Sequence, residues 1–181
     1  MNKKNIIIAG LIVLAVVMFG IIQFKIIPAN HNKQIMYAQN QTDALSHDIS
    51  VVEGFKSPYI GDASNAINLF YALPLSNISM KFQIDPETCT LTVNYLDTVW
   101  NIGEEKVYRD LVYNSIAAMA AIDNLNAVRY EFPGESFVFE RKQIEYIFGS
   151  PLSNLLDKEV WKEQVQTQLT ADDFVEQFYM K

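Results

Sequence analysis

The chain has 181 residues, half of them hydrophobic, a formal net charge of −7 and a single cysteine. That length accommodates one ordinary domain with a real core, and an aromatic content of 12% excludes a disordered chain. One cysteine excludes an intramolecular disulfide framework, and an acidic balance without a basic stripe makes nucleic acid an unsuitable partner.

The stretch Ile6–Ile22 (IIIAGLIVLAVVMFGII) holds no charged or strongly polar side chain. As a helix it is about 25 Å long. Phe24, Ile26 and Ile27, with Lys25 free to snorkel, extend it to about 22 residues before Pro28, enough to cross a hydrocarbon core about 30 Å thick. A buried core helix would need a polar face, and this run is apolar all round. A cleaved secretory signal is the competing reading: Lys3 and Lys4 form a suitable leader, but the apolar run is long and no A-x-A-like site follows it. The segment is read as a single-pass membrane anchor spanning residues 1–27. Lys3 and Lys4 nearly balance Lys25 and Lys33 across it, and the short leading tail tips the expectation to a cytoplasmic N-terminus with the domain outside.

Residues 28–53 are polar and rich in Asn and Gln, and read as a stalk. Both histidines of the chain, His31 and His47, fall there and are expected to be solvated, since no cysteine or carboxylate cluster joins them as a metal site. The domain is then residues 54–181. A helix is expected over Ala63–Leu73, capped by Asp62 or Ser64, with Ala66, Leu69, Phe70 and Leu73 inward and Pro74 ending it. Ile78–Ile84 and Cys89–Tyr95 alternate apolar and polar residues around the turn Asp85-Pro86-Glu87-Thr88, which predicts an antiparallel hairpin. Cys89 would sit on its apolar face as a core thiol.

A loop carrying Trp100 leads to the longest amphipathic helix, Glu104–Ile122, with Val107, Leu111, Ser115, Ala118, Met119 and Ile122 inward. Ala127–Phe132 and Ser136–Glu140 form a second hairpin around Pro133-Gly134. Helices follow over Arg141–Phe148, Asp157–Leu169 and Ala171–Met180, the last with a Thr170–Asp173 capping box, and Ser150-Pro151 opens a turn. The expected fold class is α+β: an antiparallel sheet of about four strands in two hairpins, packed by helices.

Residues 55–75, FKSPYIGDASNAINLFYALPL, resemble the opening signature of domain-of-unknown-function family 4825, in Lys56, Pro58 and Tyr59, the Ile60-Gly61-Asp62 turn, Asn65 and Asn68, and the Leu73-Pro74-Leu75 close. Leu91–Tyr95, Ile122–Leu125 and Phe139…Arg141…Ile144…Phe148-Gly149 are similar to its later blocks. The resemblance implies a bacterial, mostly Gram-positive, extracytoplasmic domain, standing alone behind an anchor or fused behind membrane metalloproteases of the beta-lactam-sensor type. It implies no activity and no catalytic residues. This chain contains no H-E-x-x-H.

Catalytic patterns are missing from the sequence itself: no G-x-S-x-G, no Gly-rich phosphate loop, no metal-ligand spacing and no cofactor motif. The expectation is a non-enzymatic module of the bacterial envelope, sensing or binding an envelope protein or a cell-wall ligand. Tyr59, Gly61, Asp62 and Trp100 are the candidate contact residues. Gly61 is also explained by a turn needing unusual φ, Asp62 by a helix cap, and Trp100 by covering a sheet edge. A carboxylate-dependent envelope hydrolase, using acids such as Asp97 and Glu104, stays open as the alternative.

Overall fold

A computed structural model describes residues 3–179, in two compact units, Met1–Gln39 and Asn40–Lys181. In the first, helix α1 (Lys3–Ile21) continues through a π-helical turn at Ile22–Ile26 into α2 (Ile27–Asn40). Over Gly10–Asn40 this helix is long and apolar enough to cross a membrane, and none of its apolar window is buried. Large side chains such as Ile12, Phe19 and Phe24 stand exposed.

The second unit contains α3 (Ala63–Ala72), β1 (Met80–Asp85), β2 (Thr90–Tyr95), α4 (Val99–Ile102), α5 (Glu104–Ala121), β3 (Ala127–Phe132), β4 (Glu135–Glu140), α6 (Arg141–Phe148), α7 (Lys158–Trp161) and α8 (Asp172–Glu176). It is α+β with a four-stranded sheet in the order β1-β2-β3-β4, built from the two expected hairpins. The expectation of antiparallel pairing throughout is corrected at the centre, where β2 and β3 are parallel. The cause is α5. Its 18 residues run about 27 Å, carrying the chain back along the sheet before β3 begins, and such a crossover delivers parallel neighbours.

Periodicity predicts one buried stripe on α5, but the helix is enclosed nearly all round: every residue from Asp110 to Ala121 is buried. The sheet covers one side, where the Ser115 hydroxyl meets Tyr130 Oη at 3.1 Å and the Tyr108 ring lies edge-on to Phe137. A 3-10 turn at Leu152–Leu156 and Trp161, edge-on to Tyr113 at 4.8 Å, cover another. The four alanines Ala117, Ala118, Ala120 and Ala121 permit that close enclosure.

The polar stretch before the domain is also corrected. Residues 27–40 are helical, and the compact unit begins at Asn40. Ala44, His47, Ile49 and Val52 are core residues, with a 3-10 turn over Ile49–Phe55. Their apolar residues are too few and too irregularly spaced to look like a core element. Cys89 is not in a strand: it occupies the turn at φ 53°, half-buried, and β2 starts at Thr90. The helix expected over Asp157–Leu169 is broken into α7, a π turn at Lys162–Gln166 and a 3-10 turn at Gln168–Thr170, although Trp161, Val165 and Leu169 do point inward. Thr170 makes no capping box, because its hydroxyl donates back to Thr167 O. The expected end of the last helix at Met180 lies outside the described residues.

The last carbonyls of α5 are satisfied from two directions. Arg141 donates Nη2 to Met119 O and Ile122 O, each at 2.7 Å, and Nε to Leu125 O at 2.8 Å. Ser57 N–H donates to Ala121 O at 2.9 Å. The guanidinium thus puts a fixed positive charge where the helix carbonyls converge. Arg141→Lys should lower unfolding free energy by about 2–4 kcal/mol, since one ammonium cannot reproduce a planar fork reaching three carbonyls. Urea denaturation of the variant against the parent measures it.

Candidate functional site

Residues Ser57–Asp62 are fastened to the C-terminal end of α5. Ser57 forms a parallel bridge with Ile122, Asp123 N–H donates to Ser57 O at 3.0 Å, and Ile60 N–H donates to Asn124 Oδ1 at 2.6 Å. Asn65 closes the loop by donating Nδ2 to Phe55 O at 2.7 Å. Asp62 caps α3, accepting from Asn65 N–H at 3.1 Å. Tyr59 is 67% exposed.

Gly61 departs from expectation. It is not among the positive-φ residues, and a Cβ placed on it meets nothing within 4 Å. Its backbone therefore needs no glycine. Trp100 lies in the short helix α4 and not in a loop, capped by Thr98, and is 79% exposed. Since α4 precedes α5 and Ser57 pairs beyond its other end, about one helix length, 27 Å, separates Trp100 from Tyr59–Asp62. The four candidates do not form one site. Tyr59 and Trp100 are exposed aromatics, as are Tyr71 and Tyr146.

What does assemble is a polar clasp that sequence reasoning missed. Residues 42–48 cross α5 and are held there. Asp110, fully buried, accepts from Ala44 N–H at 2.8 Å and from Lys106 Nζ at 2.5 Å, and Lys106 also donates to Thr42 O at 2.6 Å. His47 is not solvated: it is 3% exposed, with Nε2 2.7 Å from Ala72 O and Nδ1 2.7 Å from Tyr113 Oη. A carbonyl only accepts, so Nε2 carries the proton and Nδ1 accepts from the tyrosine. Gln166 completes the clasp, donating Nε2 to Ala44 O and His47 O. The one available signal was Asp110 itself, a charge between Val107 and Leu111 on the inward stripe with Lys106 four residues before it.

Both ring nitrogens of His47 are thus engaged, leaving no free base. Burial lowers its pKa, against the pull of Ala72 O and Asp48. Burial pushes the Asp110 carboxyl up to about 6, with Lys106 opposing. Asp97, a candidate acid of the hydrolase alternative, is held below the usual carboxylate range by Asn101 and Thr98 N–H, the wrong direction for a general acid. Among the described residues no group of His, Cys, Asp and Glu is arranged to hold a metal ion. A groove of about 820 Å³ lies beside β4, with Arg129, Ser136, Val138, Glu140, Gln143 and Tyr179 among its lining residues.

The model of the family described as Domain of unknown function (DUF4825) matches residues 53–146, more than half of the chain. The chain belongs to this family. The matched span holds all four strands, α5 and Arg141, whereas His47, Gln166, Phe178 and Tyr179 lie on its flanks. The clasp therefore joins two segments outside the matched span to a helix inside it. No curated protein and no solved structure matches the chain.

Two predictions follow from this geometry. Asp62→Ala should cost about 1 kcal/mol through the lost cap, while Gly61→Ala should leave stability unchanged or raise it by up to about 1 kcal/mol; thermal denaturation compares them. The clasp should make stability depend on pH in two opposed ways. The raised pKa of Asp110 contributes stability that is full below the ordinary value of 3.8 and is lost as pH rises through about 6. The depressed pKa of His47 contributes stability present above 6.5 and lost as pH falls below it. In urea titrations, the advantage of the parent over Asp110→Asn should shrink between pH 4 and about 6, and its advantage over His47→Phe should grow as pH rises toward and past 6.5.

Proposed function

We propose that the chain is a non-enzymatic binding or sensing module of the bacterial envelope. Helix α1 anchors it to the cell membrane as a single pass, with the N-terminus cytoplasmic and the acidic domain outside, where it meets an envelope protein or a cell-wall ligand. The observation that carries this reading is the unburied apolar face of Gly10–Asn40. None of its apolar window is buried among the described residues, and water is a costly neighbour for so much contiguous apolar area. At about 46 Å the segment exceeds a hydrocarbon core of about 30 Å, so its polar end past Ile27 would stand clear of the bilayer.

The non-enzymatic part is supported by where the acid–base groups go. His47 and Asp110 are used in holding residues 42–48 against α5. The groove beside β4 supports binding, being lined by both polar and apolar groups.

A phosphatase fused after Lys181, active only outside the cytoplasm, should be active; activity confined to a cytoplasm-dependent reporter would reverse the topology. Thermal-shift screening of the detergent-solubilised chain against cell-wall fragments, beta-lactams and cations should show a melting point raised by a ligand of the folded state. Hydrolysis of peptidoglycan by the chain, abolished by one Asp or Glu substitution that leaves it folded, would overturn the non-enzymatic reading.

A further inference from the structure

Strand β4 is one rim of the sheet, and half of its backbone has no partner. Arg141 N–H donates to Asn126 O at 2.8 Å, one step beyond the β3–β4 ladder, whose register pairs Val128 with Phe139 and Tyr130 with Phe137. Hydrogen-bonded pairs alternate along an antiparallel ladder, so Glu135, Phe137 and Phe139 direct their N–H and C=O groups to β3. Those of Ser136, Val138 and Glu140 point outward. All three residues are exposed; Ser136, Val138 and the Glu140 N–H have no backbone partner among the described residues, while the Glu140 carbonyl opens α6 as its N-cap. At the opposite rim the Tyr71 ring of α3 lies edge-on to Phe82 of β1 at 5.5 Å. The β4 rim opens instead on the 820 Å³ groove.

Free outward donors and acceptors at the bottom of a groove fit a chain that is itself extended. The side chains beside it state the chemistry. A strand added to β4 would meet, on the outer sheet face, Glu140, then Val138, then Ser136, with Arg129 and Glu131 paired to each other at 3.7 Å behind them. Opposite-charge and apolar cross-strand pairs call for a cation against Glu140 and an apolar residue two positions on, against Val138. A second copy of the chain fits poorly. Joining two β4 rims would bring Glu135 and Glu140 of each copy onto a shared edge, between chains of net charge −7.

We infer that the β4 rim is a strand-addition site for an extended segment of a partner protein carrying a basic residue two positions from an apolar one. The inference rests on the binding-module reading and names the partner class. The backbone supplies affinity, and Glu140 and Val138 supply selectivity.

The test uses the full chain in detergent micelles and a labelled ten-residue synthetic peptide with a Lys-Thr-Val-Thr-Lys centre. Two control peptides replace its lysines with glutamates or N-methylate its alternate rim-facing amides. Fluorescence anisotropy should show binding by the lysine peptide and at least about tenfold weaker binding by each control. Amide exchange at Ser136, Val138 and Glu140 should slow only with the lysine peptide. Val138→Pro removes one outward N–H without touching the β3 ladder, so it should abolish binding while circular dichroism and the melting point stay close to the parent's. Glu140→Lys should shift preference toward the glutamate peptide. Lack of binding by the folded parent, or binding indifferent to Val138→Pro and N-methylation, overturns the inference. A dimer in sedimentation that Val138→Pro dissolves assigns the rim to a second copy and overturns it too. Stabilisation by a cell-wall fragment without any peptide response overturns this inference alone and leaves the binding-module reading standing.

Discussion

A helix enclosed on every side must settle its polar groups inside the protein, and in this domain α5 dictates where its neighbours lie. Asp110, Asn114 and Ser115 are buried on it. Asp110 takes the Ala44 N–H, Asn114 donates to Pro74 O at 2.8 Å, and Ser115 donates to Leu111 O and meets Tyr130. At its end Arg141 and Ser57 take up the terminal carbonyls. An unpaired buried polar group costs about 1–3 kcal/mol, so each of these partners is constrained by the helix it serves. The family-like residues acquire a physical reason in the same way. Leu73-Pro74-Leu75 is the turn Asn114 holds, Asn65 and Ile60 hold the loop that reaches Ala121, and Arg141 closes the helix.

Most of the elements were legible in the sequence because their signals are local. Two-residue alternation identified both hairpins, and Asp62 with Pro74 bracketed α3. The parallel join of β2 to β3 was not legible, since alternation says which face a strand buries and nothing about which hairpin lies beside it. The stretch around His47 was misjudged for a related reason. Its polar residues look solvated until Tyr113, Ala72 and Gln166, all distant in sequence, are seen to meet it. Gly61 was overvalued, because glycine in a turn suggests unusual backbone geometry that this turn does not use. Of the four candidate contact residues, the exposure of Tyr59 and Trp100 was foreseeable, and their separation along α5 was not.

The two faces of the sheet divide its work. The inner face is an aromatic layer in which Tyr95 stacks on Phe132 at 4.8 Å and Tyr130 meets Phe139 edge-on. The outer face carries Lys81, Gln83, Thr92, Asn94, Arg129 and Glu131, and is polar as a one-sided sheet in water should be. Apolar Val138 is the exception on that face, 39% exposed beside the groove.

The clasp has a consequence for the order in which the chain can acquire its structure. Gln166 holds Ala44 across 122 positions of sequence, and Asp110 holds it across 66. Neither contact can form until the distant partner has been synthesised, and each closes a loop whose entropy must be met before the contact stabilises anything. The hairpins can form early, because their partners are close by. Residues 42–48 can meet Ala72, Lys106, Asp110 and Tyr113 earlier, but their last contacts, to Gln166, close only when the π turn after α7 arrives, so the segment that begins the domain completes its contacts late.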